Sequence, residues 1–271
     1  MVHETRDDSG GDRDCSTGRG WTWRSFGRER GDLDVGFDVD RTVPDMITEV
    51  LTACGRDEDG RPLSPSAAWS LTVGTRLAAL LRVAAESGNA LAAVTMSCPA
   101  CGEVLESEFD LGAVAELEAA PPADLVHVSH GGATLMFRRP TGEDQRGWVA
   151  AAAAEPESAA RAMAARLRVA ADDVRSEVPL DDEWIARLDQ ALAAADPLVS
   201  FVLSAGCPSC GAACSRPVDL AALALAQLRA VQGQLYDSVH RLALAYHWTE
   251  REIFDLPAGR RTRYLSLVGA A

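Results

Sequence analysis

The feature that most constrains this chain is a pattern written twice. SCPACGEVLESEFDL, Ser97 to Leu111, and GCPSCGAACSRPVDL, Gly206 to Leu220, align without a gap. Cys98 falls on Cys207, Cys101 on Cys210 and Gly102 on Gly211, and Asp110 and Asp219 each stand twelve residues after their first cysteine. A strand-like apolar stretch precedes each pair and an Asp-Leu leads towards a helix after it, so this is an internal repeat. A Cys-x-x-Cys turn presents two thiolates on one side of a tight loop; its Pro stiffens the loop and its Gly lets backbone N–H groups approach the sulfurs. A structural zinc site needs four ligands in a tetrahedron, and thiolates suit it. The repeat therefore predicts that Cys98, Cys101, Cys207 and Cys210 converge on one structural zinc ion (Zn2+), with iron in the same tetrahedron left open. The 105 residues between Cys101 and Cys207 do not forbid this, because loop-closure entropy grows only logarithmically with length.

A redox reading competes. Thiol-disulfide enzymes also use Cys-x-x-Cys with Pro inside, but they place the first Cys at a helix N-terminus to lower its pKa. Here Gly and a strand-like alternation follow the pair, and the motif occurs twice, which favours a closed metal site. A closed site has no open position for a substrate, which argues against catalysis. Cys214 aligns with Leu105 and is read as buried and apolar; Cys15 and Cys54 are read as incidental thiols.

Composition sets the compartment and the partners. The start, MVHETRDDSGGDRD, has neither the basic nor the apolar region of a signal peptide, and no window approaches the ~18 apolar residues of a membrane span. The expectation is a cytoplasmic protein that does not touch membranes. In that reducing compartment seven cysteines point to metal ligands or free thiols rather than disulfides. All 26 basic residues are Arg, and the formal net charge is −14, which repels phosphate backbones and argues against nucleic acid as a partner.

The rest of the chain reads as α+β and mostly helical. Residues 1–41, rich in Gly, Asp, Arg and Ser, are expected to be a disordered tail, with Trp21, Trp23 and Phe26 as scattered aromatics. A single zinc-stapled domain over 42–271 follows in three parts: 42–120 with the first Cys-x-x-Cys turn (knuckle), 121–195 with a hairpin and helices, and 196–271 with the second knuckle and the C-terminal helices. Thr42 and Ser64 cap the first two helices, the second running to about residue 84 with Gly74 as a weak point. A Pro-Pro linker at 121–122 leads to a hairpin turning at Gly131-Gly132. Helices are expected from Thr141 through Trp148, over about 157–170, and over 182–195 behind Asp181. Leu228, Val231, Leu235, Val239, Leu242 and Tyr246 form one stripe on a long helix ending near His247. Thr249 and Glu252 then spell a capping box, with Trp248 and Ile253 as its staple, and a short helix closes the chain.

No other chemistry emerges. His127 and His130 face opposite sides of a strand, and His247 suits a helix C-terminus. Asp181, Asp182 and Glu183 read as a capping cluster, and GRRTR (259–263) as a solvated basic helix start. There is no Gly-rich phosphate loop, nucleophile elbow or metalloprotease motif, and no small-molecule substrate is evident. The chain is expected not to be an enzyme.

The C-terminal half carries a resemblance. Asp196 and Pro197 before a strand, the knuckle at Cys207 and Cys210, and a helix ending in Val239, His240, Leu242, Ala243, Tyr246, Trp248, Thr249, Glu250, Glu252 and Ile253 come in order, then Arg260, Arg261, Tyr264 and Leu265. Upstream, LTVGTRLAALLRVAAESGNALAAVTMSCPACGEVLE and FRRPTGEDQRGW add a Gly-x-Arg helix and an Arg-x-Pro-Thr-x-x-Asp element. Together these resemble the T-even-phage-type baseplate hub assembly chaperones of contractile injection systems and phage tails, over about 45–271. His247 departs from the pattern, which has Gly there. The resemblance implies assembly rather than catalysis: a zinc-ribbon-like protein that binds a baseplate or hub subunit, with Tyr246, Trp248, Arg260, Arg261 and Tyr264 as candidate partner-binding residues. Two rivals remain: a zinc-ribbon nucleic-acid-binding or transcriptional accessory protein, using Arg260, Arg261 and Arg263, and a Cys-x-x-Cys thiol oxidoreductase.

Overall fold

Most helices here begin where a short polar side chain accepts a backbone N–H, and those caps cut the chain into its elements. The computed structural model describes residues 20–38, 40–118, 125–154, 156–169 and 178–268. The fold is α+β, about 54% helical. Strand β1 (Thr22–Trp23) pairs antiparallel with β2 (Gly55–Arg56). Between them, α1 (Val43–Cys54) starts at Thr42, whose side chain accepts from Asp45 N. Ser64 caps α2 (Pro65–Ser70) and Thr72 caps α3 (Val73–Ser87).

The expected single helix from Ser64 is thus two, and its break lies at Leu71–Thr72, before Gly74. Thr72 leaves the helical region to cap the next helix, which ends the previous one. Gly74 serves packing instead: a Cβ there would sit 2.1 Å from Asp196 Oδ1.

Strands β3 (Leu91–Ser97) and β4 (Val104–Asp110) form the first long hairpin, and α4 (Leu111–Ala115) follows behind Asp110. The linker expected at Pro121–Pro122 lies outside the described residues. Strands β5 (Leu125–His130) and β6 (Ala133–Arg138) turn through Gly131 and Gly132 at φ 60° and 81°. Both values are left-handed, as a two-residue hairpin turn requires. Helices α5 (Gly142–Ala154) and α6 (Pro156–Leu167) lead to β7 (Arg168–Val169), which adds to β6, and then α7 (Asp182–Ala195) starts at its Asp181 cap. Strands β8 (Val202–Gly206) and β9 (Ala213–Pro217) make the second long hairpin. Helices α8 (Leu220–Tyr246), α9 (Glu250–Asp255) and α10 (Ala258–Val268) complete the order.

Two large apolar clusters hold these elements, and a small third one joins the tips of the two long hairpins. The larger joins α1, α3, α4 and α8, with Val50, Leu51, Leu80, Leu81 and Leu228 fully buried. Each such side chain stabilises by about 1.5–3 kcal/mol relative to exposure. The smaller lies between the β5–β6–β7 sheet and α6 and α7, around Phe137, Leu167, Trp184 and Leu188.

The expectation of a disordered tail to residue 41 is corrected for 20–38. Phe26, Val35 and Phe37 are buried in the larger cluster, with Trp21 and Trp23 packed against it. Phe26 meets Phe37 edge-on at 5.9 Å. The polar composition that reads as disorder here builds a local anchor. The fully buried Asp32 carboxylate accepts from Gly27, Arg28 and Glu29 N–H at 2.8–3.1 Å and from the Arg24 guanidinium at 2.6 and 2.9 Å. Helix α8 holds the same segment: Gln232 donates to the carbonyls of Asp32 and Val35 at 2.8 Å, and Tyr236 to that of Leu33 at 2.6 Å.

Candidate metal centre

Each knuckle is the tip of a hairpin, and the two tips are built alike. In the first, Cys98 N–H donates to Glu103 O at 2.7 Å and Gly102 N–H to Cys98 O at 3.0 Å. In the second, Cys207 N–H donates to Ala212 O at 2.8 Å and Gly211 N–H to Cys207 O at 2.9 Å. Gly102 and Gly211 stand at φ +75° and +74°, a left-handed conformation that costs a side chain but not glycine. The aligned acids behave alike too: Asp110 accepts from Ala113 N and Asp219 from Ala222 N, both at 2.9 Å.

The hairpins meet tip to tip. Met96, Cys98 and Leu105 from one pack with Cys207 and Cys214 from the other. Farther down, Phe109 lies 5.7 Å from Phe201 and Arg216 Nη1 donates to Thr95 O.

This contact brings the thiols together crosswise. Cys98 Sγ lies 3.6 Å from Cys210 Sγ and Cys101 Sγ lies 3.7 Å from Cys207 Sγ, and all four sulfurs are within 4.8 Å of one another. A disulfide would need about 2.05 Å. A tetrahedron of sulfurs at ~2.3 Å from a central zinc has edges of about 3.8 Å. The observed spacing therefore fits four ligands around a metal ion. Cys98 and Cys207 are buried, and Cys101 and Cys210 reach the surface.

Without a cation the four thiols conflict. The backbone N–H groups of Cys101 and Ala100 pull the Cys98 thiol down to about 6. Cys101 has the Glu103 N–H favouring its thiolate, but the Cys210 and Cys98 thiols beside it push it up to about 12. A divalent ion held by these four sulfurs would remove the repulsion that keeps the neighbours protonated.

The other sequence candidates divide. Cys214 is buried, and burial pushes its thiol up to about 11. Cys54 is buried at the end of α1, and its thiol is pushed up to about 12 by the same cause. Cys15 lies outside the described residues. His127 is exposed, while His130 packs edge-on against Trp184 at 5.4 Å. Tyr246, Trp248 and Tyr264 do come together: Tyr246 stacks on Trp248 at 4.6 Å, and Tyr264 meets their edges at 5.5 and 5.0 Å. Arg260, one turn before Tyr264 on α10, is exposed. The expectation that Arg261 faces a partner is corrected. It is buried, its guanidinium lies 5.0 Å from the Phe254 ring, and desolvation lowers its pKa. A basic run reads as solvated, but the aromatic face of α9 gave this cation a place to pack.

Sequence reasoning missed three separate polar clusters, centred on Arg76, on the Arg139–Asp196 pair and on Asp144. Arg76 is fully buried, donating to the carbonyls of Ala68 and Pro44 at 2.6 and 2.8 Å and to Thr48 Oγ1 at 2.8 Å. Burial pulls it down to about 10. Arg139 pairs with Asp196 at 2.9 Å, both buried. Asp144 takes Arg138 at 2.5 and 2.8 Å and Arg166 at 2.9 Å. Burial opposes this charge, but the Arg138 guanidinium and the Thr141 N–H and hydroxyl win and hold its carboxyl well below the usual range. The available signal was a pair of Arg-containing stretches, TVGTRL and FRRPTGED, beside strongly apolar runs.

Comparison with protein-family models, curated proteins and solved structures finds no match to this chain. Among the described residues, no helix is long and apolar enough to cross a membrane.

Proposed function

We propose that Cys98, Cys101, Cys207 and Cys210 hold one structural zinc ion in a zinc-ribbon-like site. In this reading the chain works without catalysis in the cytoplasm, as an assembly chaperone for a baseplate or hub subunit of a phage-tail-like machine. The observation that carries the metal is the crosswise spacing of 3.6 and 3.7 Å between sulfurs of different hairpins. The assembly role rests on the motif order from Asp196 to Leu265, and the aromatic cluster of Tyr246, Trp248 and Tyr264, together with Arg260, is its candidate contact surface. The metal would fix the two halves of the chain, so that α8 and the helices beyond it present that surface at a set angle.

Elemental analysis of purified protein is expected to find one zinc per chain. Metal-free protein with four freely reacting thiols would sink this reading and leave the thiol oxidoreductase. For the assembly role, the chain is co-expressed with a baseplate hub subunit. A raised soluble yield of that subunit, lost on Trp248→Ala with Tyr264→Ala, is expected; an unchanged yield refutes it. Salt-sensitive DNA or RNA binding would favour the nucleic-acid rival instead, although Arg261, one of the three arginines it needs, is buried.

A further inference from the structure

A candidate second site, lined by none of the four cysteines, lies in the smaller cluster. Between α5, α6, α7 and the turn after Asp196 is a cavity of about 370 Å³, within the size range of small-molecule sites. Ala164, Leu167, Leu188 and Leu192 are among its apolar walls. Arg139, Trp148 and Asp196 also line it, and each holds a buried polar atom, the donors Arg139 Nε and Trp148 Nε1 and the acceptor Asp196 Oδ1, with no hydrogen-bond partner. Buried donors are ordinarily satisfied, so two unpartnered donors on the lining of one apolar cavity call for an acceptor. The charge of Arg139 is already met by Asp196 at 2.9 Å, and Asp189 is a further lining residue. An anionic ligand would therefore meet two carboxylates, and a cationic one would meet Arg139.

We propose that this cavity binds a small, neutral, mostly apolar molecule bearing a carbonyl-type acceptor, to which the Trp148 indole N–H donates. The site rests on neither the metal nor the assembly reading. The solvent-sensitive naphthyl ketone Prodan, neutral and apolar with one carbonyl, is a suitable probe for the full chain. Saturable binding with a blue-shifted emission is expected. Ala164→Trp, which fills the cavity, should abolish it. Trp148→Phe, which keeps an aromatic ring and removes the donor, should weaken it about 2- to 10-fold, the worth of one hydrogen bond. Thermal unfolding checks that each variant is folded; if Ala164→Trp is not, Met163→Trp on the half-buried part of the same wall replaces it. No saturable binding by the unaltered protein, or undiminished binding by the filled variant, overturns the site. Equal affinity in Trp148→Phe overturns the role of the indole.

Discussion

The two knuckles share a turn, a left-handed glycine and a capping acid, yet they carry different loads. The first hairpin pairs seven residues per strand, and its Asp110 caps a five-residue helix whose Leu111 is fully buried. The second pairs five, and its Asp219 caps a 27-residue helix that runs through the larger core and on to α9 and α10. The likeness is confined to what places the sulfurs, and the difference lies in what hangs from them. A repeated tip thus holds its geometry while the chain beyond it changes freely.

The largest test of that equivalence removes the proposed metal. Structural zinc supplies about 10–16 kcal/mol of folding free energy, as much as a domain's whole net stability of about 5–15 kcal/mol. Chelation, Cys98→Ser or Cys207→Ser should each abolish metal retention and the cooperative melt to the same degree, read by elemental analysis and calorimetry. A chain that keeps its metal after one serine exchange and loses it after the other breaks the equivalence.

Next come the glycines. Nothing lies within 4 Å of a Cβ placed on Gly102 or Gly211, so alanine there meets only the backbone penalty. Each substitution should cost about 1–2 kcal/mol in urea unfolding, and the two values should agree.

The capping acids should then separate the two halves. Asp110→Ala and Asp219→Ala are each expected to cost about 1 kcal/mol. Hydrogen exchange should show protection lost through all of α4 but only in the first turn of α8. Equal fraying would mean that α4 is held by packing alone.

The smallest effect lies at the far end of α8. His247 stands at φ 55°, the one positive φ outside glycine among the described residues. His247→Gly should raise stability by about 0.5–1 kcal/mol, measured by the same unfolding.

What could be read ahead of the structure follows the range of the forces involved. The convergence of the four cysteines was legible because its signal is local and written twice. The helix starts at Thr42, Ser64, Asp181 and Thr249 were legible because a cap is decided within three residues. The crosswise partnering of Cys98 with Cys210 was not, since alignment equates positions and says nothing of which sulfurs face each other. Residues 20–38 misled because their order comes from the Asp32 anchor and from Gln232 and Tyr236, far along the chain. Arg261 misled and the burial of Arg76 was missed, because charge reads as surface until a buried carbonyl or an aromatic face is supplied by another element.

The grip of Gln232 on the carbonyls of Asp32 and Val35 has a consequence in time. Those groups are separated by 200 and 197 residues. At about 5–20 residues per second, the early segment leaves the ribosome roughly 10–40 s before the helix that holds it exists. Phe26, Val35 and Phe37 stay without that cover through most of translation. The newborn chain is therefore expected to bind general chaperones until its last quarter emerges.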